Sequence, residues 1–256
     1  MRVVGVDWSG RTRGARRAIW LADARDRELV RLEDGRTRGE VADHLLDLAA
    51  DDPMLVVGLD FSFSLPSWFL AERGLTTVDD LWDAAARDGE RWLRACAPPF
   101  WGRPGHPRTP LGPELRATEA ATAGVGGIRP KSTFQIGGAG SVGTGSIRGF
   151  PVLARLRRGG FAVWPFDPAR PPFAVEVWPR ACTGAVVKRD PSARAALLDE
   201  RHAGLAPDLR ARAVASEDAF DAAVTALVMS EHAEALAALT GPGHPDAALE
   251  GWIWTP

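Results

Sequence analysis

The chain opens on Arg2-Val3-Val4-Gly5-Val6, an almost unbroken apolar run that stops at Asp7, and Met54–Leu59 repeats the pattern and stops at Asp60. Runs that are apolar on both faces belong to interior strands of a sheet covered by helices on both sides. Between them, Ala15–Ala22 and Glu28–Leu32 predict two more strands with a turn around Asp26, so the first three strands form an antiparallel meander. Thr37 then stands three residues before Glu40 in capping-box spacing. Val41, Leu45, Leu46 and Leu48 follow at helical intervals.

Residues 66–95 read as two helical pieces. From 97 to about 150 the chain is rich in Pro and Gly with little periodicity, and a stretch of that length inside a compact domain is usually functional. Periodicity resumes with a helix at Val152–Leu156 and a strand at Phe161–Trp164. A further strand, Phe173–Trp178, carries Glu176. Helices are expected at 191–201 and 207–213, and the longest runs from Ser216 to about Leu239. No repeat and no linker divides the chain, so residues 1–256 are expected to form one domain with residues 97–150 as an insertion.

Composition narrows the function. The 256 residues are 45% hydrophobic and 25% charged, with no apolar run long enough to span a membrane. Asp7 interrupts any secretory leader, so a cytoplasmic protein without membrane partners is expected. Cys96 and Cys182 are too few for a disulfide framework or zinc cluster, and the five histidines show no ligand spacing. A net charge of −2 gives no global attraction to nucleic acid. Of 31 basic residues only Lys131 and Lys188 are lysine, the other 29 being arginine.

The chemistry-bearing pattern is acidic. Asp7 and Asp60 both end interior strands, where open α/β sheets place their sites, and if the strands are parallel neighbours both carboxylates reach one edge. In SEDAFDAAVTAL, Asp218 and Asp221 lie three apart on one helical face among Phe220, Val224, Leu227 and Val228. The helix dipole behind the Ser216 cap accounts for Asp218, but Asp221 lies beyond the first turn. Converging carboxylates repel, and a hard divalent cation relieves them. Glu176 is either a fifth ligand or an ion-pairing glutamate of the neighbouring strand.

A meander, a helix, a parallel strand and a late helix, with acids on strands one and four and on that helix, resemble the RNase H-like fold. The spacing DAFDAA is similar to the last motif of Holliday-junction-resolvase-type nucleases. VGVDWSG, GLDFSFSLP, RPKSTFQIGGAGSVGTGS, EVWPRA, SEDAFDAAVTAL and EGWIWTP together resemble domain-of-unknown-function family 429 over essentially the whole chain. Members of that bacterial family are described as predicted RNase H-fold nucleases. The resemblance implies an α/β domain with an RNase H-like mixed sheet flanked by helices. It also implies that Asp7, Asp60, Asp218 and Asp221 are metal-binding catalytic acids. Asp60 departs from the glutamate usual at the second position in resolvase-type enzymes.

Two further features concern substrate. Gly138, Gly140 and Gly143 satisfy G-x-G-x-x-G after strand-like Thr133–Ile136, with Asp167 further on; this is the context of a dinucleotide fingerprint. The same loop could instead offer its amides to a phosphate or carboxylate, or be a loop whose glycines merely permit positive φ. Arg116, Glu119, Arg129, Lys131, Ser132 and Gln135 form a polar cluster around it, suited to an anionic group or to a solvated loop face. No Walker A lysine, nucleophile elbow or Cys-His pair is present. The leading expectation is a nuclease that holds Mg2+ or Mn2+, one ion activating water and a second stabilising the leaving oxygen. Its substrate is nucleic acid or a small phosphorylated molecule. The alternative is a nucleotide- or cofactor-binding protein that uses the glycine loop without hydrolysis.

Overall fold

The computed structural model describes residues 1–256. Strands β1 (Arg2–Asp7), β2 (Trp20–Arg25) and β3 (Glu28–Glu33) form the expected meander. The strand expected over 15–22 divides. Ala15–Ala18 winds into a short helix, α1, because the buried Ala15 and Ala18 are three apart with Arg16 and Arg17 facing water between them. Helix α2 (Arg38–Asp51) starts on the expected capping box. Glu40 donates its backbone N–H to the Thr37 hydroxyl, and its carboxylate accepts the Thr37 N–H at 2.8 Å.

Strand β4 (Val56–Leu59) is followed by the two expected helices, α3 (Ser67–Ala71) and α4 (Val78–Ala95). The 97–150 segment holds one short helix, α5 (Ala117–Ala121), and its last residues already belong to α6 (Gly143–Arg158). Thr133–Ile136, expected to be strand-like, is a turn: Gln135 N–H donates to the Ser132 carbonyl and Phe134 N–H to the Ser132 hydroxyl. The dinucleotide fingerprint therefore lacks the strand that should lead into it.

Next come β5 (Ala162–Val163), β6 (Phe173–Val177), α7 (Pro179–Thr183), α8 (Pro191–Arg201) and α9 (Pro207–Ala215). The long helix expected up to Leu239 breaks at His232, whose φ of −99° and ψ of 22° leave the helical region, with the ring Nδ1 2.9 Å from the Val228 carbonyl. It divides into α10 (Glu217–Glu231) and α11 (Ala233–Ala237), and the chain closes with α12 (Ala247–Glu250) and β7 (Ile253–Trp254). No helix is long and apolar enough to cross a membrane.

The seven strands form one mixed sheet in the order β3-β2-β1-β4-β6-β5, with β7 on the remaining side of β6 beyond the end of β5. β1, β4 and β6 run parallel, with Val6 opposite Leu59 and Leu59 opposite Glu176. Alternate strand residues feed two cores. Val4, Val6, Val57 and Leu59 pack with α2, α4 and α6; Val3, Val56 and Val175 pack with α8, α9 and α10 on the other face. Two glycines let α10 lie close on the sheet. A Cβ at Gly5 would sit 2.8 Å from the Ala222 carbonyl oxygen and the Ala226 nitrogen, and one at Gly58 would run into Met229 Sδ.

Candidate metal centre and adjoining clefts

The parallel register carries Asp7 and Asp60 to one sheet edge. Asp60 donates its N–H to the Val6 carbonyl at 3.0 Å, which ties the two strand ends together. The Ser216 hydroxyl accepts the Ala219 N–H and starts α10, so Asp218 falls in its first turn and Asp221 one turn deeper. Because α10 is drawn down on β1 by Gly5, both aspartates reach the same edge. Asp7 and Asp221 are buried, at 8% and 7% exposure, while Asp60 and Asp218 are partly buried.

Each carboxyl holds its proton more tightly than an ordinary aspartate. Burial is the largest cause in every case. For Asp7 the charges of Asp60, Asp221 and Asp218 add to it and lift it well above the usual range. Asp60 is pushed up to about 8 by burial and then by Asp221. Asp218 and Asp221 are raised too. One cation opposes the shift in all four: Lys188, whose ammonium donates to Asp221 Oδ2. Asp221 Oδ1 is buried without a hydrogen-bond partner. As the side chains lie, no three His, Cys, Asp or Glu groups stand close enough together to cage an ion. The donor set still suits a hard divalent cation, since it consists of carboxylate oxygens, one of them orphaned, with an ammonium already drawn into them.

Glu176 reaches the same edge but is committed elsewhere. Its Oε2 accepts Arg116 Nη1 and the Phe63 N–H, each at 2.9 Å, and its Oε1 accepts Arg116 Nη2. Arg116 is fully buried; it also pairs with Glu119 and donates to the Glu250 carbonyl at 2.8 Å. Glu250 in turn accepts the Ser67 N–H at 2.7 Å and the Ala117 N–H at 2.6 Å. Arg116, Glu119 and Glu176 thus buckle the insertion and the closing segment onto the sheet edge. Arg116 itself does not line the adjoining cleft, although Glu119 and Glu176 do.

Two clefts flank the carboxylates. One, of about 310 Å3, is lined by Asp60 and Asp221 together with Arg129, Lys131, Arg180 and Lys188. The other, of about 520 Å3, is lined by Asp7 and Asp218 with Trp8, Arg11, Arg103 and Thr144. Gly140 borders both, so the glycine loop forms the wall between them. Gly138 and Gly140 adopt φ of +81° and +68°, the left-handed region that glycine enters without strain. Lys131 Nζ braces the loop by donating to the Ala139 carbonyl at 2.8 Å, and Gln135 Nε2 donates to Gly137 and Ala139. Gly143 opens α6, and its N–H donates to the Gln135 carbonyl. Arg129 is exposed at the rim.

No motif in the sequence singles out Lys188 or Arg180 as a site residue. For Lys188 a signal existed: it is one of two lysines among 31 basic residues, and both line the same cleft. Comparison with family models, curated proteins and solved structures yields no match.

Proposed function

We propose that this chain is a divalent-metal-dependent phosphodiesterase built on an RNase H-like core, akin to domain-of-unknown-function family 429, and that it acts on nucleic acid or a small phosphorylated substrate. One observation carries the reading. Asp7, Asp60, Asp218 and Asp221 all reach one edge of the three parallel strands, burial and repulsion from neighbouring carboxylates raise the proton affinity of each, and Asp221 leaves a buried oxygen unpartnered. The sheet order β3-β2-β1-β4-β6 with a helix crossing β1 and β2 supports the fold assignment.

Asp7, Asp60 and Asp221 would hold Mg2+ or Mn2+, with Asp218 at the rim. Bound there, the metal supplies a Lewis acid and lowers the pKa of a water. The chain's own residues do the rest. Arg129, Lys131 and Arg180 offer positive charge to the phosphate, and the glycine loop keeps the two clefts apart on either side of the carboxylates. Attack of water on phosphorus forms one P–O bond and breaks another, yielding a phosphomonoester and an alcohol.

The test is a Mn2+ titration of the metal-free protein by calorimetry and thermal shift, beside hydrolysis of an activated phosphodiester. Binding of Mn2+ to the native state alone raises the melting temperature. Metal-dependent turnover that disappears in Asp60→Asn and Asp221→Asn is the expected result. Neither heat nor thermal shift with Mn2+ overturns the metal site, and binding without turnover leaves a ligand-binding protein.

A further inference from the structure

We propose that the smaller cleft is a subsite for a single phosphate-bearing unit, the size of one nucleotide, gripped by Lys131, Arg180 and Lys188. It follows that the substrate is engaged at a terminus or as a short unit and not along a duplex. The inference deepens the phosphodiesterase reading, and the binding it describes can be measured without it.

Charge is the first support. Lys131 donates only to the Ala139 carbonyl, and Arg180 only to the Gly184 and Val186 carbonyls, so neither is hydrogen-bonded to an acid, although the Arg180 charge is felt at Asp221. Four acids line the cleft, Asp60, Glu119, Glu176 and Asp221, and five cations face them: Arg129, Lys131, Arg180 and Lys188 in the lining and Arg116 behind it, shared by Glu119 and Glu176, which leaves one positive charge in surplus. A partly enclosed space with surplus positive charge attracts a compact polyanion.

Residue type is the second. Twenty-nine of 31 basic positions in this chain are arginine, yet both lysines line this one cleft. An ammonium is a compact point charge with three donors on a flexible stem, whereas a guanidinium is a rigid planar fork. In a space of about 310 Å3 the ammonium leaves room for a phosphate.

Size and lining are the third. That volume lies at the lower end of small-molecule sites. A duplex reader instead spreads its contacts over a surface of about 1,000 Å2 or more. Beside the cations, Ile128, Trp178, Pro179 and Ile253 add apolar surface to the lining. A base or sugar attached to the phosphate can lie against it, as bases do on aromatic side chains. A net charge of −2 agrees with a short ligand, because a long polyanion is held by many neutralising contacts.

The experiment is calorimetric titration of the full-length metal-free protein with a nucleoside 5′-monophosphate, with inorganic phosphate and with a 20-base-pair duplex. We expect the monophosphate to bind at least tenfold more tightly than inorganic phosphate. Lys131→Ala and Arg180→Ala should each weaken it tenfold or more, Lys131→Arg should weaken it as well, and Arg158→Ala on the exposed end of α6 should leave it unchanged. Lys131 is an exposed loop residue, so its variants report binding even if Arg180→Ala fails to fold. Inorganic phosphate binding as tightly as the monophosphate overturns the nucleotide unit. Affinity unmoved by Lys131→Ala, absence of binding at millimolar ligand, or tighter binding of the duplex overturns the subsite. A parallel Mn2+ titration separates the two readings: monophosphate binding without Mn2+ binding removes the metal site and leaves the subsite standing.

Discussion

Lys188→Met removes the one cation that opposes proton retention in all four carboxyls, which makes it the sharpest probe of the site. The side chains of the Lys188–Asp221 pair are only 18% and 10% exposed, so neither keeps its full hydration. Left ionised and alone, a buried partner costs about 3–5 kcal/mol. Asp221 has another route, which is to take up a proton. Against an unfolded carboxyl with a pKa near 3.9, that costs about 4 kcal/mol at pH 7 and about 1.5 kcal/mol at pH 5. These are ceilings, because Asp221 already sits above its ordinary value with Lys188 in place. The expected loss is therefore below about 4 kcal/mol at pH 7 and below about 1.5 kcal/mol at pH 5, larger at the higher pH.

The sign follows from proton counting. Above the unfolded pKa the unfolded chain releases the proton that the folded variant retains, so stability falls as pH rises, with an added slope of up to about 1.4 kcal/mol per pH unit. Urea denaturation of the chelator-treated protein at pH 5 and pH 7 measures it. Asp221→Asn in the same background should restore most of the loss, since no carboxyl then needs a partner. Lys188→Met should also bind Mn2+ more tightly, the competing cation having been removed. A loss independent of pH, additivity of the two substitutions within about 0.5 kcal/mol, or unchanged Mn2+ affinity would refute the reasoning.

Three further outcomes are expected. The raised carboxyls make the metal-free wild type lose stability between about pH 4 and pH 8, and Asp60, being partly solvated, contributes at most about 1.4 kcal/mol per pH unit; Mn2+ should therefore raise the melting temperature more at pH 8 than at pH 5, and equal shifts would deny the coupling. Arg116→Met leaves Glu119 and Glu176 buried without their cation and should cost about 3–5 kcal/mol in chemical denaturation, with a loss under about 1 kcal/mol counting against the buckle. Gly5→Ala pushes a Cβ into the α10 backbone, as its 2.8 Å approaches to Ala222 and Ala226 require; overpacking of about 1–3 kcal/mol should appear together with weakened Mn2+ binding, because Asp221 rides on that helix.

The legible parts were those governed by local rules. Continuous apolar strands gave β1 and β4, their parallel pairing carried Asp7 and Asp60 to one edge, and the Thr37 capping box fixed the start of α2. The misread parts were those where a tertiary partner overrides a local pattern. Ala15–Ala22 looks like a strand until the sheet buries Ala15 and Ala18 on one helical face. Thr133–Ile136 looks extended until Ser132 closes a turn beneath it. Glu176 has the strand-end position of a ligand, and only the arrival of Arg116 from sixty residues away in sequence gives it a structural partner.

Lys188 shows the same limit from the other side. It lies after α7 in a segment, Gly184 to Asp190, with no helical or strand period to place it, so no pattern could aim it at Asp221. What could point to it was composition: in a chain that writes nearly every positive charge as arginine, a lysine marks a position where the guanidinium does not serve. The structure puts both such positions on one cleft that Asp60 and Asp221 also line. A cation that is compact, singly charged and held by one carboxylate can yield to a doubly charged ion; a bidentate arginine would compete far better. Lys188→Arg should accordingly weaken Mn2+ binding while leaving metal-free stability at or above that of wild type. If it instead binds Mn2+ as the wild type does, the choice of lysine at this position has no bearing on the site.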